Sequence, residues 1–297
     1  MAGCAGVNGH AAQVMRRWLC VLWFSAGVLS GAPLQVRIVA ANLTSDNKQA
    51  YSPDNGNHSN PEGAGARILK ALKPDVVLIQ EFNTSIPQRQ WVNQTFGQEF
   101  FFMREEGMQI PNGIISRFPI IASGSWDDPV LDNRDFAWAH LRLPENRDLW
   151  VVSVHLHSKG ETSRARQATA LRELIRKKVP KDALLIVGGD LNTRTTKEQC
   201  FPALAGVVKI PLSPPADEHG NIHTNAPRNR PYDWVLACKK MHSVEIPVRL
   251  AGREFAQGLV FDSRVFEPLA KLPPVQKGDS GVPFMQHMAV VRDFRIP

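Results

Sequence analysis

No hydrophobic run in the 297-residue chain reaches the roughly 18 residues that a membrane-spanning helix needs, which excludes a multi-span membrane protein. There is no repeat period and no low-complexity tract. The 22 Pro and 21 Gly are ordinary usage, so collagen-like and wholly disordered readings fall away. Cysteine is scarce: of four, Cys4 and Cys20 lie near the N-terminus, leaving Cys200 and Cys238 for the body of the chain. Their spacing suggests no zinc site, and either one disulfide or two buried thiols would suit them. Charge of neither sign dominates, since 35 Lys and Arg face 28 Asp and Glu.

What is present at the N-terminus is a leader. Arg16 and Arg17 precede an apolar run from Trp18 to Ser30, and the small residues Ser30, Gly31 and Ala32 follow. A basic segment, a short apolar segment and a small-residue end predict a secretory signal over residues 1–32, with one domain over 33–297. The expected location is therefore periplasmic or extracellular. Pro33 disfavours cleavage after Ala32, so an uncleaved membrane anchor is the alternative. Without the leader, 33 basic residues face 28 acidic ones, a net charge of +5 that is compatible with a polyanionic substrate.

The sequence predicts buried strands at 36–42, 76–80, 112–116, 136–141, 149–155, 184–187, 232–237 and 288–294. The polar stretch 45–65 is too rich in Asn, Gly, Pro and Asp for regular structure. Helices are predicted at 66–72 and 162–178. The second turns Ala165, Ala168, Leu171, Leu174 and Ile175 inward and Arg164, Arg166, Arg172, Arg176 and Lys177 toward solvent. Eight strands against two helices point to packed sheets with peripheral helices.

Polar residues follow the strands. Asn42 ends the first, Gln80-Glu81 the second and His155-Leu156-His157 the fifth. Gly189-Asp190-Leu191-Asn192 follows the next, Asp233 opens another, and Gln286-His287 precedes the last. Carboxylates, amides and imidazoles at one sheet edge suit metal-assisted hydrolysis. Each also has a bland reading: Glu81 as a solvated strand end, Asn42 as a turn former, the histidines as satisfied core groups, Asp190 as an Asx-turn.

In order, Asn42, the QE at 80–81, the HL at 155–156, the GDLN at 189–192, the YDWV at 232–235 and His287 resemble the endonuclease/exonuclease/phosphatase superfamily across residues 36–294. The stretch Ile114 to Pro119 resembles its middle strand and turn. The resemblance implies an α/β fold, a four-layer sandwich of two mixed β-sheets with helices on the outer faces. It also implies hydrolysis of phosphate esters with Mg²⁺, or Mn²⁺, as cofactor. It assigns Glu81 and Asn42 to the metal, Asp190 to the attacking water, and Asn192 to that water or a phosphate oxygen. His155 becomes the donor to a non-bridging oxygen, and His287 a proton carrier held by Asp233.

One position departs from the pattern. Gln286 stands where the superfamily usually has Asp, so metal affinity on that side should fall unless Asp279 supplies the carboxylate. His157 has no counterpart, and the His219–His223 pair sits in a Pro- and Gly-rich loop. Three functions stay open: a phosphodiesterase on nucleic acid, a phospholipid or sphingolipid phosphodiesterase or phosphomonoesterase, or a weakened binding protein of the same fold. The expected partner is the phosphate-ester substrate, with no stable protein partner and a monomeric chain. Lys159, Arg194, Arg228 and Arg230 are candidate phosphate contacts.

Overall fold

A computed structural model describes residues 1–3, 32–43, 63–84, 86–283 and 285–297. The expected leader and most of the polar stretch 45–65 lie outside the described residues. Residues Ala32–Pro297 form one compact unit. No helix among the described residues is long and apolar enough to cross a membrane.

The strands are β1 (Leu34–Ala41), β2 (Val76–Ile79), β3 (Phe101–Arg104), β4 (Gly113–Ser116), β5 (Ile120–Trp126), β6 (Phe136–Arg142) and β7 (Asp148–His155). They continue with β8 (Leu184–Asp190), β9 (Asp233–Ala237), β10 (Glu245–Ile246), β11 (Val248–Leu250), β12 (Arg253–Phe255), β13 (Leu259–Phe261) and β14 (Ala289–Ile296). The helices are α1 (Ala64–Leu72), α2 (Gln88–Thr95), α3 (Glu161–Lys178), α4 (Cys200–Leu204) and α5 (Lys239–His242).

One sheet runs β10-β14-β1-β2-β4-β3, with β13 also on β14; the other runs β5-β6-β7-β8-β9. Both are mixed, because β1–β2 and β7–β8 are parallel inside otherwise antiparallel ladders. The period-2 pleat divides the second sheet cleanly. Val151, Ile186 and Val235 pack with the first sheet, whereas Val152, Val187 and Leu236 pack with Leu171 of α3 and Phe201 of α4. Ile68 and Leu69 of α1 and Trp91 of α2 cover the first sheet. The four-layer α/β sandwich is the observed architecture.

Among the described residues five α-helices form rather than two. The short ones have weak sequence signals, and α4 and α5 are only five and four residues long. The larger correction is Arg164, expected on the solvated face of α3. It is 1% exposed. Its guanidinium donates to both carboxylate oxygens of Glu198, at 2.7 and 2.8 Å, and to the backbone oxygen of His157 at 3.0 Å. Gln167 is buried beside it, while Ala165 and Leu174 are only half-buried. Cys200 and Cys238 are free thiols, and burial pushes the Cys200 thiol up to about 12.

Candidate active site

Register carries three predicted site residues into one row. His155 lies opposite Asp190 on the parallel β7–β8 pair, and Asp190 opposite Asp233 on β8–β9. On the facing sheet, β1 and β2 pair up to Ala41 and Ile79, so the next residues, Asn42, Gln80 and Glu81, leave the sheet together. Two glycines let the sheets close at this point. A Cβ on Gly188 would lie 2.6 Å from the Trp234 oxygen and 2.8 Å from Leu78. Gly189 has φ +131°, and a Cβ there would meet the Gln80 amide at 2.5 Å. Gln80 instead donates to Ser153 at 2.8 Å, tying β2 to β7.

Asp190 is the hub. Its Oδ2 accepts from Asn42 Nδ2 at 3.0 Å and Asn192 Nδ2 at 3.1 Å, with His155 Nε2 at 3.2 Å. Its Oδ1 accepts the Asn192 backbone N–H at 2.7 Å. His287 Nε2 stands 3.8 Å from Oδ2, while His287 Nδ1 bonds Asp233 Oδ2 at 2.8 Å. Thr224 completes the relay, donating from Oγ1 to Asp233 Oδ2 at 2.6 Å and accepting the Asp233 N–H at 2.9 Å.

Charge is sorted among these groups by burial and neighbours. Burial disfavours the His287 cation, but the Asp233 and Asp190 carboxylates overcome it and lift the imidazole to about 9. Burial raises Asp190 toward neutrality against the pull of His287. Burial and then the Arg134 and His287 cations hold His155 well below its ordinary range. A neutral His155 has one N–H.

Sequence reasoning missed Arg134 and Thr224. Arg134 is buried, donates to the backbone oxygens of His155 at 2.6 Å and Leu156 at 3.0 Å, and feels the charges of Asp190 and Glu81. It fixes the turn that carries His155. Nothing local marks it, for it simply precedes an apolar strand. His157 supports the same turn through its backbone, accepting from Arg164 and donating to Gln167 at 2.8 Å.

Four buried atoms here have no hydrogen-bond partner among the described residues: Asn42 Oδ1, Gln80 Oε1, His155 Nδ1 and Asp233 Oδ1. Buried polar atoms are normally paired, so this grouping is the mark of a surface completed by a ligand. Glu81 adds backbone strain, with φ +49° in a non-glycine residue. The unpaired Asn42 oxygen and the Glu81 carboxylate are hard oxygen donors of the kind that suits a divalent cation such as Mg²⁺. Asp190, Asp233 and His287 also offer ligand atoms within 4.8 Å of one another. To serve as a ligand His287 would have to give up the Nε2 proton that the Asp233 and Asp190 carboxylates favour.

Gln286 and Asp279 lie apart from this row. The Gln286 side chain is exposed, and its backbone oxygen accepts from Ala226 at 2.6 Å. Asp279, the alternative source of the carboxylate that Gln286 lacks, is engaged elsewhere. Arg67 grips it from Nε at 3.0 Å and Nη2 at 2.5 Å, and the Gln276 N–H adds a third bond at 2.8 Å, so both oxygens are occupied. Of the candidate phosphate contacts, Arg228 is locked between Asp217 at 2.6 Å and Asp262 at 2.5 Å. Asp217 also organises the His219–His223 loop by accepting backbone N–H groups.

A fold of two packed mixed sheets with an Asp–His row at one edge defines a phosphoesterase class of scaffold. Residues 55–246 match the model of the endonuclease/exonuclease/phosphatase family, and the chain belongs to that family. No curated protein matches the sequence. Among solved structures, an endonuclease/exonuclease/phosphatase from Bacteroides vulgatus superposes with TM-score 0.60 at 14% identity, over 89% of this chain and 100% of that one. The D. rerio TDP2 humanized by 14 mutations gives 0.55 at 18%, over 88% and 99%. A mannosyl-6-phosphatase from Bacteroides thetaiotaomicron gives 0.55 at 13%, over 86% and 98%. These likenesses establish the fold.

Proposed function

We propose that the protein is an exported, Mg²⁺-dependent phosphodiesterase that acts on nucleic acid. The observation that carries the hydrolase reading is the Asp190 hub, with His155 at 3.2 Å on one side and the Asp233-held His287 on the other. Asp190, raised by burial, is matched to take a proton from an attacking water. Asn42 and Asn192 hold that carboxylate in place by donating to it. His287, charged and fixed by Asp233, offers its Nε2 proton to a phosphate oxygen as negative charge builds there. His155 places Nε2 3.2 Å from Asp190 Oδ2 and leaves its buried Nδ1 for the substrate. Glu81 and Asn42 would hold the divalent ion. Bound there, such an ion neutralises charge on the phosphate and its leaving oxygen.

The mild basic excess favours a polyanionic substrate, and the predicted leader favours export. The test is turnover of plasmid DNA, RNA, sphingomyelin and phosphoinositides by the full chain with Mg²⁺ and with EDTA. DNA or RNA cleavage that needs Mg²⁺ is the expected result. Turnover confined to the lipids would move the reading to a lipid phosphodiesterase. The N-terminal sequence of protein recovered outside the cell tests export.

A further inference from the structure

Two arginines two residues apart have opposite fates. Arg228 is fully engaged by Asp217 and Asp262, whereas Arg230 pairs with no carboxylate among the described residues. The Arg230 Nη1 donates to the Tyr232 hydroxyl at 3.1 Å. The Tyr232 ring lies 5.4 Å from the His287 ring, centroid to centroid, with the planes inclined by 42°. Both side chains are half-buried at the rim.

The backbone beneath them is pinned. The Arg230 N–H donates to Asn225 Oδ1 at 2.8 Å, and its carbonyl accepts from Thr224 at 2.9 Å. The same loop clamps the strand that carries His287, with Ala226 N–H on the Gln286 oxygen and Met288 N–H on the Thr224 oxygen, both at 2.6 Å. An arginine with a preorganised stem, no counter-ion and a phenol as its polar contact is built to receive an anion.

We propose that Arg230 and Tyr232 form a second-phosphate subsite, which takes an anionic group next to the scissile phosphate and makes the enzyme prefer substrates with at least two phosphates. The guanidinium would bind the oxygens, and the Tyr232 hydroxyl, already accepting from Arg230, would donate its own proton. This rests on the phosphoester-hydrolase reading above. The second phosphate could belong to a nucleic-acid backbone or to a polyphosphorylated polyol.

The experiment compares wild type, Arg230→Gln, Arg230→Lys and, as a remote charge control, Arg166→Gln on the exposed face of α3. Substrates are dithymidine monophosphate, the same dinucleotide carrying a 5′-phosphate, and inositol 1,4-bisphosphate. Equilibrium binding of each is measured with Ca²⁺ replacing Mg²⁺. Loss of a charge-assisted contact should lower the two-phosphate over one-phosphate preference in kcat/KM about tenfold in Arg230→Gln. Arg230→Lys should lie between, and Arg166→Gln should keep the preference. A fall with the dinucleotide identifies a backbone phosphate; a fall with the inositol phosphate alone identifies a polyol phosphate. Equal losses on both dinucleotides, or no loss on any of the three substrates, would overturn the subsite. If wild type hydrolyses none of them, the hydrolase reading fails by itself. The binding arm then decides the subsite, which is overturned if wild type binds the second phosphate no better than Arg230→Gln does.

Discussion

The two ends of the sheets use the same kinds of residue and treat them in opposite ways. At the start of β1, Arg37 donates to both Asp293 oxygens at 2.8 and 2.7 Å and to the backbone oxygens of Leu72 and Arg249, while its own N–H bonds Asp75 at 2.7 Å. Asp75 in turn takes Arg117 at 2.7 Å. At the other end, Asn42, Gln80, His155 and Asp233 each keep a buried atom without a partner. One end spends its polar groups on holding strands together; the other holds them ready for something else. Saturation, rather than residue type, separates structure from chemistry.

The comparison is broken most sharply by a pair of charge-removing changes. Asp190→Asn should lower turnover by about a thousandfold, since general-base catalysis contributes on the order of 10²–10⁴. It should leave thermal stability equal or higher, because it removes a buried negative charge whose pKa burial has raised. Asp293→Asn should do the reverse. The Asp293 carboxylate is wholly buried against Arg37, and stranding that guanidinium should cost about 3 kcal/mol of stability. The folded fraction should keep its kcat. Denaturant melts alongside initial rates check both, and a stability loss in Asp190→Asn as large as that in Asp293→Asn would erase the distinction.

The same contrast explains what the sequence could disclose. Strand-end motifs were legible because each follows its own apolar run, and parallel pairing then lines up whatever comes next. Asn42, Glu81, His155 and Asp190 follow their runs in this way, whereas Asp233 opens β9, whose antiparallel pairing sets it opposite Asp190, and the family order supplied His287. Arg164 misled, and Asp279 stayed open, because their fates depend on distant segments. Glu198 lies 34 residues from Arg164, and Arg67 lies 212 residues from Asp279. Helical periodicity assigns Arg164 to solvent, and only the partner reverses that. The two- and three-residue strands β10 to β13 have no pattern long enough to read; β10 and β13 exist as partners of β14, and β11 and β12 as partners of each other.

A gentler change sharpens the picture on the catalytic side. Asp233 is the largest of the three carboxylate supports that lift His287 to about 9. A raised histidine is charged below that value and loses its proton as pH rises through it, so activity needing the cation should fall on an alkaline limb near pH 9. Any stability from the charged pair disappears over the same rise, from about 6.5 to about 9. Asp233→Asn removes the negative charge, and the limb should move to lower pH. A kcat/KM profile whose alkaline limb is identical in wild type and Asp233→Asn would show that His287 is not the group titrating.

The smallest expected effects fall on Gln286 and Asp279. Asp279 is saturated by Arg67, so Asp279→Asn should weaken folding through the loss of a largely buried ion pair, while the Mg²⁺ dependence of turnover stays as in wild type. Gln286 is exposed, and the loop holds it by its backbone oxygen, an interaction that no side-chain change removes. Gln286→Asp would add a negative charge in the residue next to His287, on the same clamped segment. Charge of that sign favours a divalent cation, and exposure to solvent screens it, so apparent Mg²⁺ affinity should tighten only about two- to threefold. The same charge would stand on the segment clamped by the Arg230 loop and should weaken binding of a second phosphate. Mg²⁺ titrations of wild type, Gln286→Asp and Asp279→Asn separate these effects. Loosened Mg²⁺ affinity in Asp279→Asn would return that carboxylate to the metal site. Tighter Mg²⁺ binding joined to a lower two-phosphate preference in Gln286→Asp would show that the neutral amide serves the anion rim at the expense of the cation.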